Sequence, residues 1–220
     1  MPLELLGSSA QADDLVASTG GPHPPHASHQ AHHTPPGTGG RRDVECFDCH
    51  AISRASLHAT STACSNCGTY IDLRHFDIRE RTTQKIRTRG DVTVHKKGAL
   101  LGTSVYCGNL IMEGMVGGSI HAQDTVSFRV STKVLGELRC GRLIVERKCA
   151  VQCLQPVHVR EVEIEGTFTG RIFASGAVRL HRHARLEGSV NAPVFSMPAG
   201  AELMAGMHIF GRASGDIPEE

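Results

Sequence analysis

Seven short segments of this chain fall on a repeat of 16 to 18 residues, and a period that short leaves few folds open. The repeat anchors are Gly102, Gly118, Gly136, Cys153, Gly170, Gly188 and Gly206. Two positions before them stand Leu100, Val116, Val134, Val151, Phe168, Leu186 and Met204; four positions after stand Tyr106, Ala122, Cys140, Val157, Ala174, Ala192 and Phe210. All fourteen are apolar or aromatic, where a chain that is 40% hydrophobic would place about six by chance. A unit of this length, carried by alternating apolar residues, predicts stacked β-strands rather than helical repeats. The fold expected is mainly β, a single-stranded β-helix of about seven turns, and it argues for a structural protein rather than an enzyme.

Side chains alternate across a strand, so the offsets −2, 0, +2 and +4 share one side. Leu186, Gly188, Val190 and Ala192 show the resulting order of large, tiny, large and small. This register predicts that Gly188 points into a narrow core while Arg185 faces solvent. Left-handed hexapeptide solenoids, many of them acyltransferases, also use 18 residues per turn, and Leu180, Leu186 and Ala192 are six apart. The 16- and 17-residue turns and the lack of a long excursion loop weigh against that alternative.

Ahead of the repeats, Cys46-x2-Cys49 and Cys64-x2-Cys67 are separated by 14 residues. Two such pairs can each give two thiolates to one tetrahedral metal, which predicts a structural zinc ribbon. The segment is too short to bury a sufficient core, so metal binding supplies folding energy. Four thiolates close the coordination sphere and leave no place for a catalytic water. His50, His58 and His75 lie in the same segment and are expected as solvated loop residues. Cys107, Cys140, Cys149 and Cys153 are expected as reduced thiols in or near the repeat core. The start Met1-Pro-Leu-Glu-Leu-Leu has neither a basic stretch nor a sufficient apolar run for a secretion signal, in keeping with reduced cysteines.

The expected organisation is a disordered His/Pro/Gly-rich tail over 1–42, a zinc ribbon over 43–78, a basic linker over 79–88, a β-helix over 89–211 and a disordered end over 212–220. Net charge is +1, which argues against nucleic acid as a partner of the whole chain. The stretch from Arg79 to Lys97 carries seven Lys or Arg against two acidic residues, yet no stripe of interleaved basic and aromatic residues is visible along the sequence. No apolar run is long enough to span a bilayer. No Ser-His-Asp order, phosphate loop or convincing carboxylate pair emerges, so no catalytic residue is assigned. His181 and His183, two apart among arginines, read as an exposed basic patch.

The last turn is rich in apolar groups: Phe195, Met197, Leu203, Met204, Met207, Ile209 and Phe210. An uncovered β-helix end exposes unpaired strand groups and core together, which templates another chain. These seven residues are therefore the expected polymerisation interface.

The stretches Gly90-Asp-Val-Thr-Val-His, Gly117-Gly-Ser-Ile-His-Ala and Leu186-Glu-Gly-Ser-Val-Asn-Ala resemble rungs of the bactofilins, polymer-forming bacterial cytoskeletal proteins. Cys64-Ser-Asn-Cys-Gly-Thr-Tyr-Ile-Asp-Leu-Arg looks like the zinc ribbon that precedes this domain in some members. The resemblance implies a right-handed, roughly triangular β-helix that forms filaments without nucleotide through its ends. It implies a cytoplasmic protein whose main partner is itself, with client proteins in the cytoplasm or at the inner membrane surface. A zinc-ribbon adaptor for a protein or nucleic acid is the further alternative.

Overall fold

The computed structural model describes residues 40–210 apart from Thr103. Of the tails expected over 1–42 and 212–220, residues 1–39 and 212–220 lie outside the described residues, while Arg41 and Arg42 belong to the first strand rather than to a tail. Every element in the described part is a β-strand, and no helix there is long and apolar enough to cross a membrane.

Two antiparallel hairpins open the structure. β1 (Arg41–Glu45) pairs β2 (Ile52–Ser56), and β3 (Ser61–Ala63) pairs β4 (Tyr70–Asp72). They enclose only Val44, Ala55, Ile71 and Leu73 beside the thiols of Cys46 and Cys64.

From Phe76 onward the chain winds into a three-faced solenoid of about eight turns, each face a parallel ladder. The first turn consists of β5 (Phe76–Ile78), β6 (Arg81–Thr82) and β7 (Ile86–Arg87), one on each face. It adds one turn to the seven expected, and it occupies the stretch expected as a basic linker. Ile78, Ile86 and Thr88 are buried inward residues of this turn, the first two on strands of two or three residues and Thr88 just after β7, which leaves hardly any periodic signal.

On the first face Leu110, Val126, Leu143, Val162 and Val178 stack in register. Ile86, Val105, Ile120, Leu138, Val157, Ile172 and Val190 do so on the second. Val151, Phe168 and Leu186 do so on the third. All of these are 2% exposed or less and form one continuous core. At roughly 4.8 Å per rung, eight rungs span about 34 Å. Strands in the N-terminal half are two to four residues long. Five in the C-terminal half run eight residues: Leu138–Val145, Val157–Ile164, Thr167–Ala174, Arg185–Ala192 and Glu202–Ile209. Their residues pair on two faces, so they pass a corner of the solenoid without a break.

The repeat phase read along the chain holds in the middle and slips at its ends. Tyr106 pairs His121 on the outside while Cys107 pairs Ala122 on the inside. Val151 aligns with Thr132, and Cys153 with Val134, a step of 19 residues. In the last turn Leu203 lies beside Leu186, Ala205 beside Gly188 and Gly206 beside Ser189, so the inward set is Leu203, Ala205, Met207 and Ile209 rather than Met204 and Phe210. Corner lengths vary, and one extra residue at a corner inverts the faces of the strand that follows.

Gly188 is confined for a different reason from the one expected. It is exposed at a corner with φ 119°, and a Cβ there would lie 2.2 Å from the Gly170 carbonyl oxygen of the turn beneath. Gly136 is pressed in the same way against the backbone of Gly118. These anchors let neighbouring backbones approach at a bend; Cys153 is the buried one, taking part in the core itself.

Candidate metal centre and its joint to the solenoid

Each CxxC pair closes a tight turn between the strands of a hairpin. Cys46 N–H donates to Ala51 O, and Cys64 N–H to Thr69 O, both at 2.9 Å. The residue after each pair, His50 (φ 58°) and Gly68 (φ 72°), takes the left-handed conformation that turns the chain back. Backbone N–H groups of Asp48 and Asn66 point at the sulfurs of Cys46 and Cys64, each at 3.4 Å.

The four sulfurs of Cys46, Cys49, Cys64 and Cys67 lie within 4.8 Å of one another. Cys46 Sγ is 3.6 Å from Cys67 Sγ, and Cys49 Sγ is 3.5 Å from Cys64 Sγ. A tetrahedron with zinc–sulfur bonds of about 2.3 Å has edges of about 3.8 Å, so the donor set fits such an ion. A disulfide needs sulfurs about 2.05 Å apart, and all eight cysteines are free. The Cys64 thiol is pulled down to about 6, chiefly by the N–H groups of Cys67 and Asn66. Thr69 pulls Cys67 down in the same way. Both shifts favour the thiolate that a metal requires.

Of the three nearby histidines none joins the cluster. His50 bonds Glu45 Oε1 at 2.7 Å through Nδ1, and the Nδ1 of His75 accepts the Asp91 N–H at 3.0 Å. His58 is outside the cluster too. Cys107, Cys140 and Cys153 are core thiols pushed up to about 12 by burial, which makes them inert. Among the described residues the ribbon cysteines are the one group of this kind, so neither Cys149 with Cys153 nor His181 with His183 makes a second.

The ribbon does not hang from a linker. Phe47, in the first knuckle, lies under both the Arg87 guanidinium at 4.6 Å and that of Arg89 at 4.1 Å. Arg89 Nε also donates to Glu45 O at 2.8 Å. A polar chain runs from the cluster to the solenoid: Cys67 Sγ to Thr69 Oγ1 at 3.2 Å, Thr69 Oγ1 to Asp48 Oδ2 at 3.0 Å, and Asp48 Oδ1 to Arg87 at 2.6 Å. Arg87 beside Asp48 holds that carboxyl below its usual range. On the other side Thr88 Oγ1 donates to Asp72 O and Arg74 O, and Arg89 N–H donates to Asp72 O. Phe47, Asp48, Arg87 and Arg89 are not legible as a joint along the chain, because they fall in the expected ribbon, the expected linker (Arg87) and the first position of the expected β-helix (Arg89). The ribbon thus sits against Arg87 and the residues just after β7; as strands, β5, β6 and β7 each pair only with the turn that follows them.

At the opposite end the expected interface residues occupy the last rung. Met197, Met204, Met207, Ile209 and Phe210 are 40–62% exposed, and Phe195 and Leu203 are partly buried. Strand Glu202–Ile209 pairs on one side only, with Arg185–Ala192.

No curated protein and no solved structure is matched by the chain. Residues 63–155 and 151–208 match the family described as bactofilin, polymer-forming cytoskeletal. Together these segments cover more than half of the 220 residues and nearly all of the solenoid, and on that ground the chain belongs to the bactofilin family.

Proposed function

We propose that this protein is a structural scaffold whose solenoids join end to end into filaments without nucleotide, the C-terminal turn forming the first seam. One observation carries the reading. Val190 and Ala192 are 2% and 0% exposed, yet their register partners one rung on, Met207 and Ile209, are 49% and 47% exposed. The core column therefore runs open to the end of the described residues, beside a row of unpaired strand groups. A second copy meeting that end would continue the column, and in a two-fold contact each residue faces its symmetry mate.

The ribbon, with zinc proposed on its four cysteines, acts as a partial cover for the other end. It lies against Arg87 and the residues just after β7 and leaves the edges of β5 and β6 for a second contact. The proposed setting is a bacterial cytoplasm, the main partner another copy of the chain, and client proteins there or on the inner membrane surface the cargo.

Sedimentation and negative-stain microscopy of wild type, Phe210→Arg and Ile209→Arg test this reading. Wild type forms polymers. Ile209→Arg sets a charge on the open core column, where an unpaired buried charge costs several kcal/mol, and breaks the seam; Phe210→Arg acts at its rim. A monodisperse wild-type monomer at tens of micromolar would overturn the scaffold reading. Equal polymers from all three proteins would overturn only the seam.

A further inference from the structure

The second face of the solenoid carries a surface that end-to-end assembly leaves free except at Phe210, at the rim of the proposed seam. Its outward residues alternate with the core, and the register stacks them on consecutive turns: Arg87, Tyr106, His121, Arg139, His158 and Phe173. Tyr106 and His121 stack with ring centres 4.7 Å apart and planes 8° from parallel. His158 and Phe173 stack at 5.3 Å and 15°. Arg139, between the two pairs, adds the flat surface of a guanidinium.

A groove of about 1100 Å³ follows this column from Phe47 and His50 of the ribbon to Phe210 of the last turn. No Asp or Glu lines it, in a chain that holds 22 of them against 23 Lys and Arg. Lys85, Arg87, Arg89, Arg139 and Arg160 do line it. Arg87 and Arg139 are held by Asp48 and Glu137. Lys85 and Arg160 are exposed and have no carboxylate within ion-pairing distance among the described residues.

We propose that this groove binds single-stranded nucleic acid. A single strand presents a line of phosphates and a row of flat bases, and it is held by a positive track interleaved with aromatic faces, without need of a sequence code. The face supplies both at a spacing fixed by the rungs, over the six turns from Arg87 to Phe173, about 24 Å; in each stacked pair the rings cover one face of each other, so a base is offered the remaining face. The near-zero net charge does not oppose this. Charges farther than about 10 Å are largely screened at ordinary salt, so a strand in the groove responds to the charges at its walls, where Asp48 and Glu137 offset Arg87 and Arg139 but Lys85 and Arg160 have no carboxylate partner among the described residues. An acidic peptide fits less well: the strands of this face are already paired on both sides through most of its length, so a peptide has no edge to extend, and a carboxylate run makes no use of stacked rings.

The test is fluorescence anisotropy of labelled 20-nucleotide oligo-dT and oligo-U, with a 20-base-pair duplex and heparin as comparisons. The single strands are expected to bind in low salt and to weaken linearly with the logarithm of salt concentration. Lys85→Glu with Arg160→Glu weakens both at least about tenfold. Phe173→Ala weakens them roughly 5- to 150-fold, the range for loss of one stacked base, and Phe173→Trp restores binding. Arg179→Glu with Arg182→Glu, outside the groove, changes nothing. Retained sedimentation and melting behaviour shows that the variants still fold and assemble, so a failure here leaves the assembly reading untouched. No binding of either strand at about 100 μM protein overturns the proposal. So does binding that survives the charge reversals. Heparin binding as tight as that of the strands, with no effect of Phe173→Ala on either, also overturns it and marks a general polyanion surface.

Discussion

Gly188→Ala isolates what holds neighbouring turns together. A single methyl group is added between two turns, against backbone rather than side chains. The added Cβ meets the Gly170 carbonyl oxygen at 2.2 Å and Gly170 C at 3.0 Å, against atoms held by the ladder. Neither is the end of a flexible side chain, so the turn itself must shift. The backbone at φ 119° is also one that L residues rarely adopt, a strain of order 1–3 kcal/mol. Forced overpacking costs about 1–3 kcal/mol more. The expected loss is therefore about 2–6 kcal/mol. Gly206→Ala is the matched control: it lies one rung on, with no atom within 4 Å of an added Cβ and no positive φ. That change is expected to be neutral or to stabilise by about 0.4–1 kcal/mol through the unfolded chain. Urea denaturation followed by circular dichroism, in an Ile209→Arg background to suppress assembly, compares the two. A loss below about 0.5 kcal/mol for Gly188→Ala, or an equal loss for Gly206→Ala, would refute close backbone approach at this corner.

Purified protein is expected to carry about one zinc per chain; Cys64→Ser abolishes it and opens 43–73 to protease while the solenoid's melting survives, as metal analysis and limited proteolysis will show. Arg89→Ala removes the stack on Phe47 and the bond to Glu45 O from a half-buried site, and should loosen the ribbon by about 1–3 kcal/mol, read as faster amide exchange in β1 and β2 with later turns unchanged. Burial lowers His121 below its ordinary 6.5, with Glu137 opposing. The unfolded chain then binds the proton first, so its contribution to stability is intact above about pH 6.5 and falls as pH drops toward the folded value. His121→Gln should remove that component of the pH–stability curve.

The cysteine cluster was legible because all four thiols belong to two local motifs with a fixed spacing. The solenoid was legible because Phe168, Leu186 and Val190 recur with the period of one turn. Its first turn was not, since β6 and β7 are two residues long and carry Arg81 and Arg87 outward, with Lys85 exposed between them. The exact phase was lost at Tyr106 and Met204, where corners lengthen or shorten by a residue and apolar groups stand on both sides. The basic and aromatic column was hidden for the opposite reason. It takes one residue from each turn, so its members lie 15 to 19 positions apart and show no local pattern.

The five unbroken eight-residue strands all lie from Leu138 onward, and this sets an order of events during synthesis. In a stack where each layer touches only its neighbours, layers with long paired segments hold and short ones fray. The weak layers of Phe76–Val134 leave the ribosome first and have nothing firm to settle on. The strong layers emerge last. Completion of the fold is then expected to run backwards along the nascent chain, from Glu202–Ile209 and its neighbours toward the hairpins. Until that point a half-made chain offers open strand edges to its siblings on the same message. Ribosome-bound chains halted near residue 135 should be protease-sensitive throughout their solenoid part, and chains halted after the last strand has cleared the exit tunnel should be protected.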